Sequence, residues 1–196
     1  MNSFDVKPLD PTTWPAFARL VERHGGVWGG CWCMAFHLEN GFGKRTASQN
    51  RSEKRKRVRE RRAHAAIVFD RDVAVGWCQF GATAELPRIK NRRTYLDGLR
   101  ELPDWRITCF FVDRDYRRRG VASTALRGAL REIAQLGGGT VESYPQDVSR
   151  STSASFLHNG TVEMFEREKF SRTRRIGKNN WVVTKVVRRS RARVDR

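Results

Sequence analysis

The segment from Phe110 to Ala122 carries the clearest chemical signal in the sequence. An apolar run passes through a short basic stretch directly into a helix-forming segment. Backbone amides at the start of a helix point outward, and the helix dipole adds partial positive charge there. Gly120 permits close backbone approach, and the guanidinium groups of Arg117, Arg118 or Arg119 add charge-assisted hydrogen bonds. The segment predicts a diphosphate site, against the alternative that these arginines form only a solvated surface.

Two elements must position this segment. The largely apolar run from Trp105 to Val112 predicts a strand that is buried on both faces towards its end. The run from Val121 to Leu136 predicts a helix, because its apolar residues recur at steps of three and four. Three glycines, Gly137 to Gly139, end that helix.

The remaining pattern predicts alternating strands and helices. A helix is predicted to begin after Asp10-Pro11-Thr12-Thr13 and to end at Gly25-Gly26, and a second to span about Val162–Lys169 with Thr161 as its cap. Residues 47–63 predict a solvated basic helix or a partly disordered segment, and residues 84–103 are expected to wrap over the sheet. Strands are predicted at 66–69, 73–80, 140–144, 170–175 and 181–187. This order indicates an α/β protein.

Length and composition limit the class of protein. The 196 residues suit one domain, expected over 1–187, followed by a basic tail at 188–196. No apolar stretch approaches the ~20 residues of a membrane span, and residues 1–20 lack a signal-peptide pattern, so we expect a cytoplasmic protein. The spacing of the four cysteines predicts reduced, packed thiols rather than disulfides or a metal site.

Positive charge dominates the composition. The formal charge of +18 attracts polyanions but says little about the fold. Ten Lys and Arg lie between Lys44 and Arg62 against two Glu, and five Arg lie in the tail 188–196 against one Asp. These two segments could bind nucleic acid, or their charge could serve solubility alone.

The spacing Arg117-x-x-Gly120-x-Ala122, after a strand ending at Val112, resembles the acyl-CoA-binding motif of the GNAT superfamily of N-acetyltransferases. The similarity extends over about residues 65–187. Cys31-Trp32-Cys33-Met34 resembles the motif of a bacterial branch of that superfamily. The resemblance implies a single-domain α/β fold with a mixed, mostly antiparallel sheet flanked by helices. That sheet would be splayed between the fourth and fifth core strands.

The resemblance also implies the reaction and the donor site. An acetyl group would pass from acetyl-CoA directly to a primary amine within a ternary complex. Backbone groups of the strand end would bind the pantetheine arm and polarise the thioester carbonyl. The expected coenzyme-binding residues are Phe110, Phe111, Val112, Arg117, Arg118, Arg119, Gly120, Val121, Ala122, Ser123 and Phe165.

Catalytic assignments depend on the same resemblance. Glu142 is the preferred general base, directly or through a water, and the alternative is an ordinary surface carboxylate. The family often has Tyr where this chain has Phe165, which has no proton to give to the departing sulfur. Tyr144, His158 or solvent would replace it, or the thiolate would leave without a dedicated acid. His158 could equally be an ordinary loop residue.

The acceptor is left open by the sequence. An amine-bearing small molecule, a peptide or a protein would fit, and Cys31–Met34 would line its pocket or simply pack. One alternative is an acetyltransferase for a nucleic-acid-associated substrate, such as aminoacyl-tRNA or a ribosomal protein, bound through 44–62 and 188–196. Another is a non-catalytic acyl-CoA-binding module. We expect a monomer or a homodimer.

Overall fold

A computed structural model describes residues 4–37, 45–148 and 157–190, and these residues form a seven-stranded sheet with helices on both faces. The strand order across the sheet is β1-β2-β3-β4-β5-β7-β6. The strands are β1 Asp5–Pro8, β2 His64–Asp70, β3 Val73–Ala82, β4 Trp105–Val112, β5 Gly139–Ser143, β6 Ser171–Arg175 and β7 Trp181–Val187. The helices are α1 Trp14–Arg23, α2 Ala47–Arg59, α3 Arg92–Asp97, α4 Val121–Gln135 and α5 Val162–Arg167.

The sheet opens between its fourth and fifth strands. Neighbouring strands pair antiparallel except β4 and β5, which run parallel. Their pairing covers three positions and ends where Ile107 faces Ser143. The last five residues of β4 therefore continue without β5 beside them. This splay confirms the predicted mixed, mostly antiparallel α/β fold.

Each face of the sheet buries its own core. Side chains alternate between faces along β3, so Trp77 packs among α1, α2 and the 27–36 segment, whereas Cys78 packs under α4. Gly76 brings α4 close to the sheet, because a Cβ there would lie 2.7 Å from Val121 Cγ1 and 2.8 Å from the Phe111 carbonyl oxygen. The start of α4 is thus held directly against the end of β4.

Three local features differ from the sequence-based expectations. The short edge strand β1 and the helix α3 had no predicted counterpart. Helix α2 is formed, but the prediction of a solvated helix was wrong for one face, where Asn50, Lys54 and Val58 are buried at steps of four. Each turn of the helix contributes one residue to this buried face, and only Val58 of the three is apolar. The sequence of α2 therefore shows no hydrophobic periodicity.

The predicted basic regions are described in part. Lys44 and residues 191–196 of the tail lie outside the described residues. Among the described helices, none has the length and hydropathy needed to cross a membrane.

Candidate active site

The turn between β4 and α4 presents a row of backbone amides. Gly120 adopts a left-handed conformation, with φ of 82°, and serves as the N-cap of α4. The first helical bond runs from the Thr124 amide to the Gly120 carbonyl, at 3.0 Å. The amides of Val121, Ala122 and Ser123 precede that bond and have no acceptor within the helix. They carry the positive end of the helix dipole.

A cavity of about 750 Å³ begins at these amides and follows the end of β4. The end of α1 and the segment after it form one wall, and the start of α5 forms another. The lining residues are His24, Val27, Trp28, Phe110, Phe111, Val112, Tyr116, Arg117, Arg118, Gly120, Val121, Ala122, Ser123, Leu157, Gly160, Thr161 and Met164.

The residues around the turn fit a diphosphate. At Gly120 a Cβ would meet no protein atom within 4 Å, so the space against the backbone is open. Arg117 and Arg118 are exposed and line the cavity. Arg119, predicted with them, does not line it, and its guanidinium lies 4.7 Å from the centre of the Tyr116 ring. The structure therefore places two of the three predicted arginines beside the amide row.

The end of β4 directs one amide towards the splay. The Phe110 amide donates to the His158 carbonyl at 2.6 Å, and the Asp113 amide donates to the Val75 carbonyl of β3 at 2.8 Å. Alternate residues of a strand turn their N–H and C=O groups to the same side. Phe111 therefore faces β3 as Asp113 does, whereas Val112 faces the splay. Of the three predicted coenzyme-binding backbone positions, Val112 keeps an amide directed into the opening.

Glu142 is buried rather than exposed at the surface, which excludes the reading of an ordinary surface carboxylate. Its residue exposure is 7%, and its Oε2 accepts hydrogen bonds from the hydroxyls of Tyr95, at 2.8 Å, and Tyr144, at 3.1 Å. Arg106 lies opposite Glu142 in the β4–β5 pairing. Burial raises the pKa of Tyr95 and raises that of Tyr144 well above its ordinary value. Both tyrosines are therefore protonated donors at neutral pH.

The predicted catalytic residues do not lie together on the cavity wall. Neither Glu142 nor Tyr144 is among its described lining residues, and Tyr144 is buried. The His158 ring contacts Trp28, with 5.7 Å between ring centres, so it lies beside the cavity wall. The structure thus separates a Glu142–Tyr144 pair from His158.

Phe165 lies behind the cavity wall. Its ring is fully buried and packs against Phe110 and Phe170, with ring centres 5.9 and 5.0 Å away. The neighbouring residue Met164 lines the cavity in its place. Phe165, predicted to contact the coenzyme, is therefore not among the described residues that line the cavity.

Sequence reasoning missed a charged group at the cavity edge. Asp113 Oδ2 lies 3.1 Å from His24 Nε2 and 2.9 Å from Arg23 Nη2. Burial raises the pKa of Asp113, but the contacts with His24 and Arg23 outweigh it and hold that pKa below its ordinary value. His24 also lines the cavity. Arg23 and Asp113 are 90 positions apart in the sequence, so no local sequence pattern could predict this group.

Comparison with known proteins identifies the family. Residues 32–151 match the acetyltransferase (GNAT) family, and the chain belongs to that family. Its members in general transfer an acetyl group from acetyl-CoA to an amine.

Solved structures share the fold at low sequence identity. A GNAT-family protein from Desulfovibrio desulfuricans has a TM-score of 0.54 at 13% identity, over 94% of this chain and 99% of its own. A protein described as histone acetyltransferase HPA2 and related acetyltransferase, from Corynebacterium glutamicum, has a TM-score of 0.53 at 13% identity, over 98% and 99%. An N-acetyltransferase from Staphylococcus aureus has a TM-score of 0.51 at 12% identity, over 93% and 96%. The comparison with curated proteins found no match.

Proposed function

We propose that this chain transfers the acetyl group of acetyl-CoA directly to a primary amine within a ternary complex. The observation that carries the proposal is the continuous cavity from the amides of Val121–Ser123 to the splayed end of β4. The amide row at one end and the largely apolar strand end at the other suit a ligand with a diphosphate at one end and a thioester-bearing arm at the other. The family supports the donor, because acetyl-CoA is the general donor of its members.

The chain's own groups divide the binding work. The amide row and the guanidinium groups of Arg117 and Arg118 hold the diphosphate through charge-assisted hydrogen bonds. The Val112 amide hydrogen-bonds the arm where β5 no longer runs beside β4. Apolar side chains, including Phe111 and Met164, exclude water along the arm. Acetyl-CoA supplies the activated acyl group.

Glu142 carries the general-base role in this proposal. The carboxylate is buried and held by two tyrosine hydroxyls, so its position is fixed. Because it does not line the cavity, the amine proton must reach it through a tyrosine hydroxyl or through a water. A base that acts through Tyr95 makes Tyr95→Phe nearly as harmful to turnover as Glu142→Gln. A water relay leaves Tyr95→Phe active.

The test is acetyl transfer by the purified chain. Acetyl-CoA is supplied with a panel of amines, peptides, ribosomal proteins and aminoacyl-tRNA, and release of the CoA thiol is followed. We expect saturable binding of acetyl-CoA and acceptor-dependent thiol release with one class of amine. Binding without transfer to any acceptor would indicate a non-catalytic acyl-CoA-binding module, and absence of binding would remove both functions.

A second candidate acceptor class is nucleic-acid-associated. The solvent-facing side of α2 and the residues after it bear six exposed cationic side chains, Arg51, Arg55, Lys56, Arg59, Arg61 and Arg62. Such a row favours phosphate contacts. If it positions aminoacyl-tRNA, charge reversal at Arg55 and Arg59 raises KM for that acceptor and leaves transfer to a small amine unchanged. Equal effects on both acceptors would exclude this role.

A further inference from the structure

Two segments that are far apart in the sequence carry positive charge without any negative charge. Residues 88–96 include most of α3, and residues 171–182 form β6, the turn after it and the start of β7. Together they contain eight Lys and Arg and no Asp or Glu. Within the described part of the chain, only Arg172 of these eight makes an ion pair, with Asp147 and Glu166. Most of this charge is therefore not neutralised within the fold.

The two segments pack together into one unit. Ile89 and Tyr95 from the first segment share a buried apolar cluster with Ile176 from the second. The Asn91 side chain lies against Gly177, where a Cβ would come within 2.5 Å of Asn91 Nδ2. The exposed side chains that flank this contact therefore lie on one continuous surface, although about 85 residues separate them in the sequence.

Four exposed cations lie within two residues of that contact and form what we call the α3 surface, namely Lys90, Arg92, Arg93 and Lys178. Arg174 lies beneath them, since its Nη1 donates to the Thr94 carbonyl at 3.4 Å and its guanidinium lies 4.8 Å from the centre of the Tyr95 ring. Arg172 and Arg175 instead cover Trp181, which packs against the core under α4. The α3 surface is thus on the opposite face of the β6–β7 hairpin from these two arginines.

The row of cations on α2 is more fully neutralised than the α3 surface. Three of its six exposed cations make ion pairs, namely Arg51 with Glu22, and Lys56 and Arg62 with Glu60. No cation of the α3 surface has such a partner among the described residues. Like charges held together without counter-ions repel one another, and a polyanion relieves that repulsion. The α3 surface is therefore the better polyanion site of the two.

The side chains among these cations favour nucleic acid over an acidic protein. Protein–protein interfaces are anchored by apolar and aromatic side chains, whereas nucleic-acid interfaces are more polar and far more positively charged. Of the large apolar side chains in the two segments, only Leu96 is exposed. Tyr95 is buried and Trp181 is covered by arginines, so unpaired bases find no open ring on which to stack. The phosphate backbone of a duplex remains as the ligand.

The polar groups at this surface suit RNA better than DNA. Thr94 and Asn179 are exposed beside the cations and can hydrogen-bond a 2′-hydroxyl. An RNA duplex displays these hydroxyls in a wide, shallow minor groove. Reading a DNA duplex requires an element that enters the major groove. Here α3 is held against the hairpin through Tyr95, and the hairpin is held in turn through Ile176.

We propose that the α3 surface binds the phosphate backbone of duplex RNA. Its guanidinium and ammonium groups contact phosphate oxygens through charge-assisted hydrogen bonds, and Thr94 contacts a ribose hydroxyl. Tyr95 of the same helix donates to Glu142, so bound RNA lies on the same side of the sheet as the proposed general base. This binding does not rest on acetyl transfer and is measured without acetyl-CoA.

The test is fluorescence anisotropy of the full chain with a labelled RNA hairpin over a series of salt concentrations. Arg92→Gln combined with Arg93→Gln removes two phosphate contacts. We expect the affinity to fall by about tenfold or more, and the slope of log affinity against log salt to become shallower by about 2. Arg55→Gln combined with Arg59→Gln is the matched control, because it removes the same charge from two exposed arginines of α2. It should change the slope by less than about 1.

A second pair of substitutions tests whether the two segments form one surface. Lys90→Gln combined with Lys178→Gln removes one cation from each segment, and it should weaken RNA binding and its salt dependence as the arginine pair does. All of these positions are exposed, so the thermal midpoint should stay unchanged. Each pair tests the surface by itself should the other pair impair folding.

Four results would overturn the proposal. The first is the absence of RNA binding. The second is an equal loss of affinity from the α2 pair and the α3-surface pair, which would assign binding to the overall charge. The third is equal or tighter binding of a DNA duplex of the same sequence. The fourth is displacement of the RNA by a polyglutamate peptide at the same concentration of charge, which would indicate an acidic protein partner.

Discussion

Replacing Glu132 by glutamine is expected to stabilise the fold at neutral pH. Glu132 lies on α4, and its Oε1 is buried without a hydrogen-bond partner among the described residues. Burial raises its pKa from 4.5 to about 8, with Arg131 lowering it and Asp10 adding to the rise. Because the folded-state pKa is raised, the folded chain holds this proton more tightly than the unfolded chain. Below pH 4.5 the carboxyl is protonated in both states and burying it costs little. The free energy of unfolding then falls as pH rises from 4.5 to about 8, because the unfolded chain loses this proton first.

The magnitude follows from linkage at ~1.4 kcal/mol per pKa unit. A pH of 7 is about 2.5 units above the unfolded-state pKa of Glu132, so keeping this side chain buried in the folded chain costs about 3 kcal/mol. At pH 5 the same cost is about 1 kcal/mol. Glutamine keeps the shape of the neutral acid and does not titrate. The gain on substitution should therefore grow with pH.

The assay is urea unfolding of the unmodified chain and of Glu132→Gln at pH 5, 6, 7 and 8. We expect the free energy of unfolding to rise on substitution by about 1 kcal/mol at pH 5 and about 3 kcal/mol at pH 7. Glu101→Gln is the control at an exposed position and should change it by less than about 0.5 kcal/mol at each pH. A difference for Glu132→Gln that does not vary with pH would refute the reasoning.

Three further predictions concern the active site. Gly120→Ala forces a Cβ into a left-handed backbone position at a cost of about 1–2 kcal/mol, so the thermal midpoint should fall by a few degrees. The same Cβ enters the open space beside the amides, so calorimetry should show acyl-CoA affinity reduced by about tenfold or more. Unchanged affinity would contradict the site. Arg118→Ala should weaken CoA binding by about tenfold and make that binding less dependent on salt concentration. Arg119→Ala is the control and should have smaller effects, because Arg118 lines the cavity and Arg119 does not. Equal effects of the two substitutions would argue against a diphosphate contact by Arg118. Glu142→Gln should lower turnover by about 10²–10⁴ while leaving the Kd for acetyl-CoA intact, and full turnover would exclude Glu142 as the base.

Local sequence patterns predicted the parts of the molecule that local physics determines. Strand β4 and helix α4 were placed to within one residue, since a continuous apolar run and a periodic helix face need no distant partner. The turn around Gly120 followed from the same two elements. The splay between β4 and β5 was implied by the family resemblance and not by any residue spacing.

Features that depend on contacts far apart in the chain could not be predicted. Lys54 looked like one more solvated cation, and its burial follows from the distant side chains of Gln79 and His37. The Tyr95 hydroxyl reaches Glu142 across 47 residues from a short helix with weak sequence signals. The hydrogen bond that the Phe110 amide donates to the His158 carbonyl likewise depends on how a loop folds back on the sheet. Tertiary packing, rather than local propensity, decided each of these.

The most direct test of the account is calorimetric titration of the chain with CoA and, in parallel, with pantetheine, which lacks the diphosphate and nucleotide. The account predicts that CoA binds at one site, that pantetheine binds far more weakly, and that Gly120→Ala removes most of the difference. Equal binding of the two ligands, or no binding of CoA, would contradict the claim that the amides and guanidinium groups around Gly120 hold the donor.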